Sequence, residues 1–296
     1  RVDSYIRSGY HVSGKEFDEK HGKYFQGIRI FTIPTFSSSK LNAIVYSFLA
    51  TIRSLFGHYD IVHFHAEGPC IMLWLTKLFG IPTVATIHGL DWQRSKWGNF
   101  ASHMLKLGEK TAALHADEVI VLSHNMQDYF QETYGRKTRF IPNGINRPIL
   151  KGDSEIKAKY GLEKDGYILF LARIVPEKGL HYLLHAFEQI ETDKKLVIAG
   201  GSHSQEYVQE MVDLAAKDSR VIMTGFVQGE VLEELYSNAY CFVLPSDIEG
   251  MALGLLEAMS YGNCCIASNI PENTEVAEDH ALYFEKGNER DLQKRL

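Results

Sequence analysis

Short apolar runs rich in Val, Ile and Phe alternate along this chain with stretches in which apolar residues recur every three to four positions. That switch of period restricts the fold more than any other feature. It predicts parallel sheets whose strands are joined by crossover helices, an α/β class. Two sets of strand-like runs stand out. The first comprises 28–33 (IRIFTI), 60–65 (DIVHFH), 83–88 (TVATIH) and 118–123 (EVIVLS), with a short apolar piece at 139–142. The second comprises 167–172, 196–199, 221–224, 240–244, 264–267 and 281–284. Between them lies Pro142-Asn143-Gly144, where Asn-Gly favours positive φ and a tight turn, followed by the polar stretch 151–166. The expected domains are therefore 1–142 and 143–296. The opening residues, RVDSYIRSGY, read as helix, so the first domain is expected to be incomplete at its N-terminus, lacking the strand that should precede them.

Composition enters as a set of exclusions. With 296 residues, 45% hydrophobic and 23% charged, the chain has material for two cores and is not disordered. Cys70, Cys241, Cys264 and Cys265 sit inside apolar runs without CxxC spacing, which points to a reducing, cytoplasmic compartment rather than a zinc site or disulfide framework. No apolar run reaches the roughly 18 residues of a membrane span, and the start is no signal peptide. Residues 1–142 carry 16 Lys+Arg against 12 Asp+Glu, whereas 143–296 carry 15 against 25. Extended nucleic-acid binding is disfavoured; a mildly basic first half is compatible with peripheral contact at the inner face of a membrane. In segment 41–56, Leu41, Ile44, Val45, Phe48, Leu49, Ile52, Leu55 and Phe56 form one helical stripe, expected to pack on a sheet.

In an open doubly wound sheet, ligands bind beyond the carboxyl ends of the strands where the strand order reverses, between the first and fourth strands in the common order. In the second domain this rule selects ARIVPEKGL (172–180) and PSDIEGMALGLLEAMSYG (245–262), two loops expected to face each other. Arg173 and Lys178 supply cations on one side. On the other, a helix expected to start after Glu249 would present the amides of Gly250, Met251, Ala252 and Leu253 to an anion. A lone surface Arg or Lys is ordinarily just solvated, but joint placement at the crevice predicts a diphosphate site. Glu249 and Glu257, eight residues apart, would span about 12 Å of helix, the reach from a sugar ring across a diphosphate to a ribose. The apolar neighbours of Glu257 predict partial burial and hence a partner.

The segments IPNGI (141–145), LARIVPEKG (171–179) and PSDIEGMALGLLEAMSYG (245–262) resemble the retaining glycosyltransferases of family 4, over residues 28 to 285 or so. The resemblance implies two Rossmann-like domains facing each other in the GT-B arrangement. The acceptor would lie against the first domain and the donor in the second, with closure about Pro142–Gly144. It implies that Arg173 and Lys178 hold the donor diphosphate and stabilise the leaving group. Glu249 would bind donor-sugar hydroxyls, Glu257 the ribose, and His88 in TIHGLD would reach the reacting sugar. Gly225-Phe226-Val227 would flank the base through backbone atoms, with Val227 among the nucleotide-binding residues. No cofactor and no metal are implied. The partners it implies are a nucleotide sugar and a saccharide or lipid-linked acceptor, in cell-surface polysaccharide assembly. The glycine-rich loop that family members carry after the first strand of the first domain is not found, nor is the terminal helix that returns to that domain.

Rival readings are weaker. A dehydrogenase fails because AGGSHSQ (199–205) lacks the third glycine of GxGxxG. A metal enzyme would use His63 and His65, which share a strand face, or Asp247 and Glu249, but no third ligand is placed by spacing. A phosphorylase, a nucleotide-sugar epimerase or a non-catalytic nucleotide-sugar-binding module of the same build stays open. DWQRSKWGNF (91–100), after His88, is a candidate contact for the acceptor or a lipid head group.

Overall fold

The second set of apolar runs forms one six-stranded, all-parallel sheet in the computed structural model of the chain, which describes residues 2–7, 24–25, 27–35, 39–93, 98–202 and 205–296. Two compact units divide it: residues 1–122 with 126–141, and residues 123–125 with 142–296.

Unit 1 contains strands β1 (Asp3–Arg7), β2 (Tyr24–Phe25) and β3 (Ile28–Ile33), then helix α1 (Ser39–Leu55). Strand β4 (Val62–His65) leads into short helices α2 (Glu67–Cys70) and α3 (Leu73–Leu78), then β5 (Thr83–Ile87) and α4 (Asn99–His115). Strand β6 (Glu118–Val121), α5 (His124–Tyr134), whose first two residues fall in unit 2, and β7 (Arg139–Phe140) complete it. Strands β4-β5-β6-β7 make a parallel sheet, and β1-β3-β2 a separate three-stranded one.

Two expectations are corrected here. Asp3–Arg7 of the opening stretch are not helical: β1 pairs in parallel with β3, and Tyr5 stacks on Phe31 with ring centroids 5.3 Å apart; residues 1 and 8–10 lie outside the described residues. Five residues are too few for either period to be read, and the sheet partner decides. In α1 the fully buried residues are Asn42, Ser47, Thr51 and Ser54, whereas of the apolar stripe Ile44, Val45, Ile52 and Leu55 are half-buried, Phe48 and Leu49 remain 43% and 39% exposed, and the Leu41 side chain lies outside what is described. Ser47, Thr51 and Ser54 return their hydroxyls to carbonyls three or four residues back at 2.7 Å, so small satisfied side chains occupy the tight side.

Unit 2 runs α6 (Ser154–Tyr160), β8 (Tyr167–Leu171), α7 (Leu180–Glu188), β9 (Lys195–Ala199), α8 (Gln205–Ala215), β10 (Val221–Gly225), α9 (Glu230–Asn238) and β11 (Cys241–Leu244). It ends with α10 (Leu253–Ser260), β12 (Cys264–Ser268), α11 (Pro271–Ala277), β13 (Leu282–Phe284) and α12 (Glu289–Arg295). The sheet order is β10-β9-β8-β11-β12-β13, reversing between β8 and β11. Tyr167, Leu169 and Phe242 pack into one core and Ile168, Phe170 and Val243 into the other, as the two-residue strand period requires. Strands covered on both faces read as unbroken apolar runs, which is why this sheet was legible. Among the described residues no helix is long and apolar enough to cross a membrane.

Candidate functional site

The reversal between β8 and β11 opens a crevice at their carboxyl ends, and the loops that follow them touch. The Asp247 amide donates to the Glu177 carbonyl at 2.9 Å. Gly179 sits at φ +65° with its α-carbon so close to the other loop that a β-carbon would lie 2.0 Å from the Pro245 carbonyl oxygen. Only glycine satisfies both conditions. Lys178, in the 3-10 turn Pro176–Lys178, thereby reaches Glu249: Nζ lies 2.5 Å from Oε1, which also accepts the Ser246 hydroxyl at 2.7 Å. The two side chains are 15% and 7% exposed, so this ion pair is largely withdrawn from water. Arg173 is exposed, and its guanidinium has no partner among the described residues.

The helix after Glu249 begins later than expected. Its first residue is Leu253 and its N-cap Ala252, so Gly250, Met251 and Ala252 lie in an irregular segment and not in a first turn. Glycine at 250 and the lack of a capping side chain leave nothing local to carry the helix further back. Leu253 donates to the Met251 carbonyl at 2.8 Å, and Leu255 and Leu256 to that of Ala252, each at 3.0 Å. The amides of Gly250, Met251, Ala252 and Gly254 have no acceptor among the described residues. Hence Leu253 drops out as an amide donor and Gly254 takes its place. The 12 Å ladder between Glu249 and Glu257 also fails, since only the last four steps are helical, about 6 Å.

Glu257, half-buried on α10, accepts a hydrogen bond at 3.0 Å from the hydroxyl of Tyr236 on α9. Tyr236 is buried and stacks on Tyr261 with centroids 5.2 Å apart; burial, then the Glu257 charge, raise its phenol so that it stays a donor. Val227 packs its side chain against the core beyond β10, the outermost strand, beside the exposed Phe226 and after Gly225 at φ +72°. Ser246 and Tyr236 escaped the sequence reading: the first is a small residue inside a loop, and the second lies on another helix with no local signal.

In unit 1, His88 directly follows β5 and meets the two β4 histidines. His65 Nδ1 is 3.1 Å from His88 Nε2, the His63 and His65 ring centroids are 4.2 Å apart, and His63 Nε2 is 2.7 Å from Thr86 Oγ1. Desolvation is the main cause that lowers all three imidazole pKa values, that of His65 to about 4 with help from its two neighbours. The rings are therefore neutral at pH 7. Their nitrogens do not converge: among the described residues only exposed Glu278, Asp279 and His280 bring three such atoms within 4.8 Å. Asp247 and Glu249 also part, Asp247 Oδ2 taking the Tyr182 hydroxyl at 3.3 Å. Of DWQRSKWGNF, residues 94–97 lie outside the described residues.

Comparison with known proteins gives these sites a context. Residues 7–147 match the model for Glycosyltransferase Family 4, and residues 152–296 that for Glycosyl transferases group 1. A Bacillus subtilis (strain 168) protein, the uncharacterized glycosyltransferase YqgM, is 30% identical over 252 residues, which cover 79% of this chain and 68% of that protein. The chain belongs to the family 4 glycosyltransferases. Another relative of this glycosyltransferase, the O-antigen chain mannosyltransferase RfbU of Salmonella typhimurium (strain LT2), is 29% identical over 63% of this chain and 52% of its own length. The Anabaena HepE crystal structure, solved with UDP and glucose, superposes with a TM-score of 0.79 at 19% identity, covering 98% of this chain and 80% of HepE. That likeness shows the GT-B fold of two Rossmann-like domains. The glycosyltransferase chain spans about three fifths of the length of the curated relatives it matches.

Proposed function

We propose that this family 4 glycosyltransferase transfers a sugar, with retention of anomeric configuration, from a nucleoside diphosphate sugar to a saccharide or lipid-linked acceptor in cell-surface polysaccharide assembly. The observation that carries the reading is the contact between the two unit 2 loops: Lys178 and the exposed Arg173 stand on the one after β8, and the one after β11 holds Glu249 against Lys178 and is followed by four amides without acceptors among the described residues. Breaking the bond between sugar carbon and diphosphate oxygen leaves negative charge on the departing diphosphate. Fixed cations and amides stabilise that charge more than the ground state, which lowers the barrier. Lys178 has three N–H bonds, so it can keep Glu249 and still donate to a phosphate oxygen. The second carboxylate oxygen of Glu249 is available for sugar hydroxyls, and Glu257, oriented by Tyr236, accepts from a ribose. We assign His88 to transfer rather than to donor binding.

UDP and glucose bound to HepE, and O-antigen chain mannosyl transfer by RfbU, support the donor class and the polysaccharide setting. We place the reaction on the cytoplasmic side, with peripheral contact to the membrane, and assign the leaving-group charge to protein groups without a metal. The test is a panel of nucleotide sugars offered to the full-length protein with saccharide and lipid-linked acceptors, with and without EDTA, the product anomer being read by NMR. Transfer with retention that survives EDTA is expected. An inverted product, loss of turnover with chelator, or no turnover on any donor refutes the corresponding part of the assignment.

A further inference from the structure

Below the histidine cluster of unit 1 lies a group that the proposed reaction does not use. Glu67, the first residue of α2, and Glu109 of α4 are both fully buried. Glu109 is well supplied with donors: Tyr129 and Tyr134 give their hydroxyls to Oε1 at 2.7 and 2.6 Å, and the Trp92 indole N–H donates to Oε2 at 3.0 Å. Glu67 is not. Neither of its oxygens meets a donor hydrogen at hydrogen-bonding geometry among the described residues, although its carboxyl lies against that of Glu109. The Asp91 amide, which donates to the Gly89 carbonyl at 3.1 Å, also lies close enough to the Glu67 carboxyl to favour its charged form, an effect smaller than those of burial and of Glu109. No described Lys or Arg pairs with either acid, and the Lys106 ammonium sits 3.9 Å over the Trp92 ring.

The backbone forces this meeting. Ala66, just before Glu67, is held at φ +68° and ψ 163°, a region that otherwise belongs to glycine. Its amide donates to the Thr86 carbonyl at 2.9 Å, and Cys70 Sγ donates to its carbonyl at 3.1 Å. Gly108, adjacent to Glu109, lets α4 approach so closely that a β-carbon there would lie 2.0 Å from the Glu67 carbonyl oxygen. Two carboxylates pressed together away from water cannot both be ionised, whereas a single proton turns their repulsion into a strong hydrogen bond. Three donors stabilise Glu109 as the anion, so the proton belongs on Glu67. Burial first and the Glu109 contact second push the Glu67 carboxyl up to about 10, in agreement with that geometry.

We propose that Glu67 and Glu109 form a buried acid pair sharing one proton, and that the pair acts as the positioning device for the His88–Trp92 loop. Glu67 donates to Glu109, Glu109 fixes the Trp92 indole, and the carboxyl of Glu67 braces the backbone at Asp91, three residues beyond His88. Hydrophobic side chains of the same volume would pack this core without the cost of burying two acids, but they would leave Trp92 without its acceptor. The positioning role rests on the transfer function assigned to His88 above; the shared proton does not.

The test uses the full-length protein and three variants, Glu67→Gln, Glu67→Ala and Glu109→Ala. Infrared spectra at neutral pH should contain the carbonyl band of a protonated carboxylic acid, lost in Glu67→Gln. The His88 ring signals in NMR should shift in Glu67→Ala and Glu109→Ala and return in Glu67→Gln, whose amide donates as the acid does. Transfer by the alanine variants should fall about tenfold or more in kcat with little change in donor KM. Glu67→Gln should stay within about threefold of wild type, a loss small beside that of a misplaced group. Absence of the acid band in the wild type overturns the shared proton. Unmoved His88 signals in both alanine variants overturn the positioning role. If band and ring shifts appear but the wild type transfers no sugar, the acid pair stands and the function proposed for the chain fails.

Discussion

Replacing Lys178 by Met separates a structural ion pair from a ligand for diphosphate, because the two roles leave different marks. The substitution keeps most of the aliphatic stem and leaves the Glu249 carboxylate, 7% exposed, with the Ser246 hydroxyl as its remaining donor. Removing one partner of a fully buried pair costs about 3–5 kcal/mol. Slight exposure and the surviving Ser246 bond reduce this to about 2–3 kcal/mol. For a domain of the size of unit 2, that is a fall in Tm of about 4–12 °C. Glu249→Gln should cost less, since the Lys178 ammonium can turn to water. The double variant should be less destabilised than the sum of the two by at least about 1 kcal/mol. Titration with UDP supplies the second axis: both Lys178→Met and the double variant should bind about tenfold or more weaker, near 1.4 kcal/mol. Nucleotide affinity that returns in the double variant, or that never changes, would refute the diphosphate role. Additive effects on Tm would refute the coupling.

Arg173→Ala should depress turnover about a hundredfold, as for a lost leaving-group contact, while Tm stays within about 1 °C because the side chain is exposed; full activity by a donor-hydrolysis assay would remove Arg173 from the reaction. Tyr236→Phe deletes only the hydroxyl that orients Glu257 and should weaken UDP binding about three- to tenfold by calorimetry, with Glu257→Ala weaker still; equal affinity in all three proteins would contradict the ribose assignment. The histidine cluster sets a pH dependence. Unfolded imidazoles gain a proton near pH 6.5, whereas folded His65 does so only near 4, so between those values the unfolded chain binds more protons and stability falls as pH drops. Melting curves of wild type and His65→Asn from pH 7.5 to 4.5 should show a smaller acid loss in the variant; parallel curves would refute the shift.

Residue sequence carried the unit 2 crevice well and the unit 1 surroundings poorly. ARIVPEKG and PSDIEGM follow strands buried on both faces, so unbroken apolar runs marked where each loop began, and the known strand order of such sheets brought the loops together. Glu257 showed its half-burial through apolar neighbours but gave no sign of Tyr236, which approaches from α9. The start of α10 was misplaced because helix-compatible residues continue back to Met251, and only hydrogen-bond geometry shows that Ala252 ends the irregular segment. The partial burial of the α1 stripe was equally hidden: a stripe of Ile, Val, Phe and Leu has the same period however much of it the neighbours cover.

By itself the sequence determined the alternation of strand and helix, the parallel class that follows from it, and which loops emerge at the binding edge. These depend on spacing along one chain, which solvent transfer and backbone geometry convert directly into structure. Tertiary structure alone decided the company each polar group keeps: Lys178 against Glu249, His65 against His88, Glu67 against Glu109. Such pairs join residues from tens of positions away, and the proton or charge each one holds is set by burial and by neighbours from other elements, quantities that no local pattern encodes.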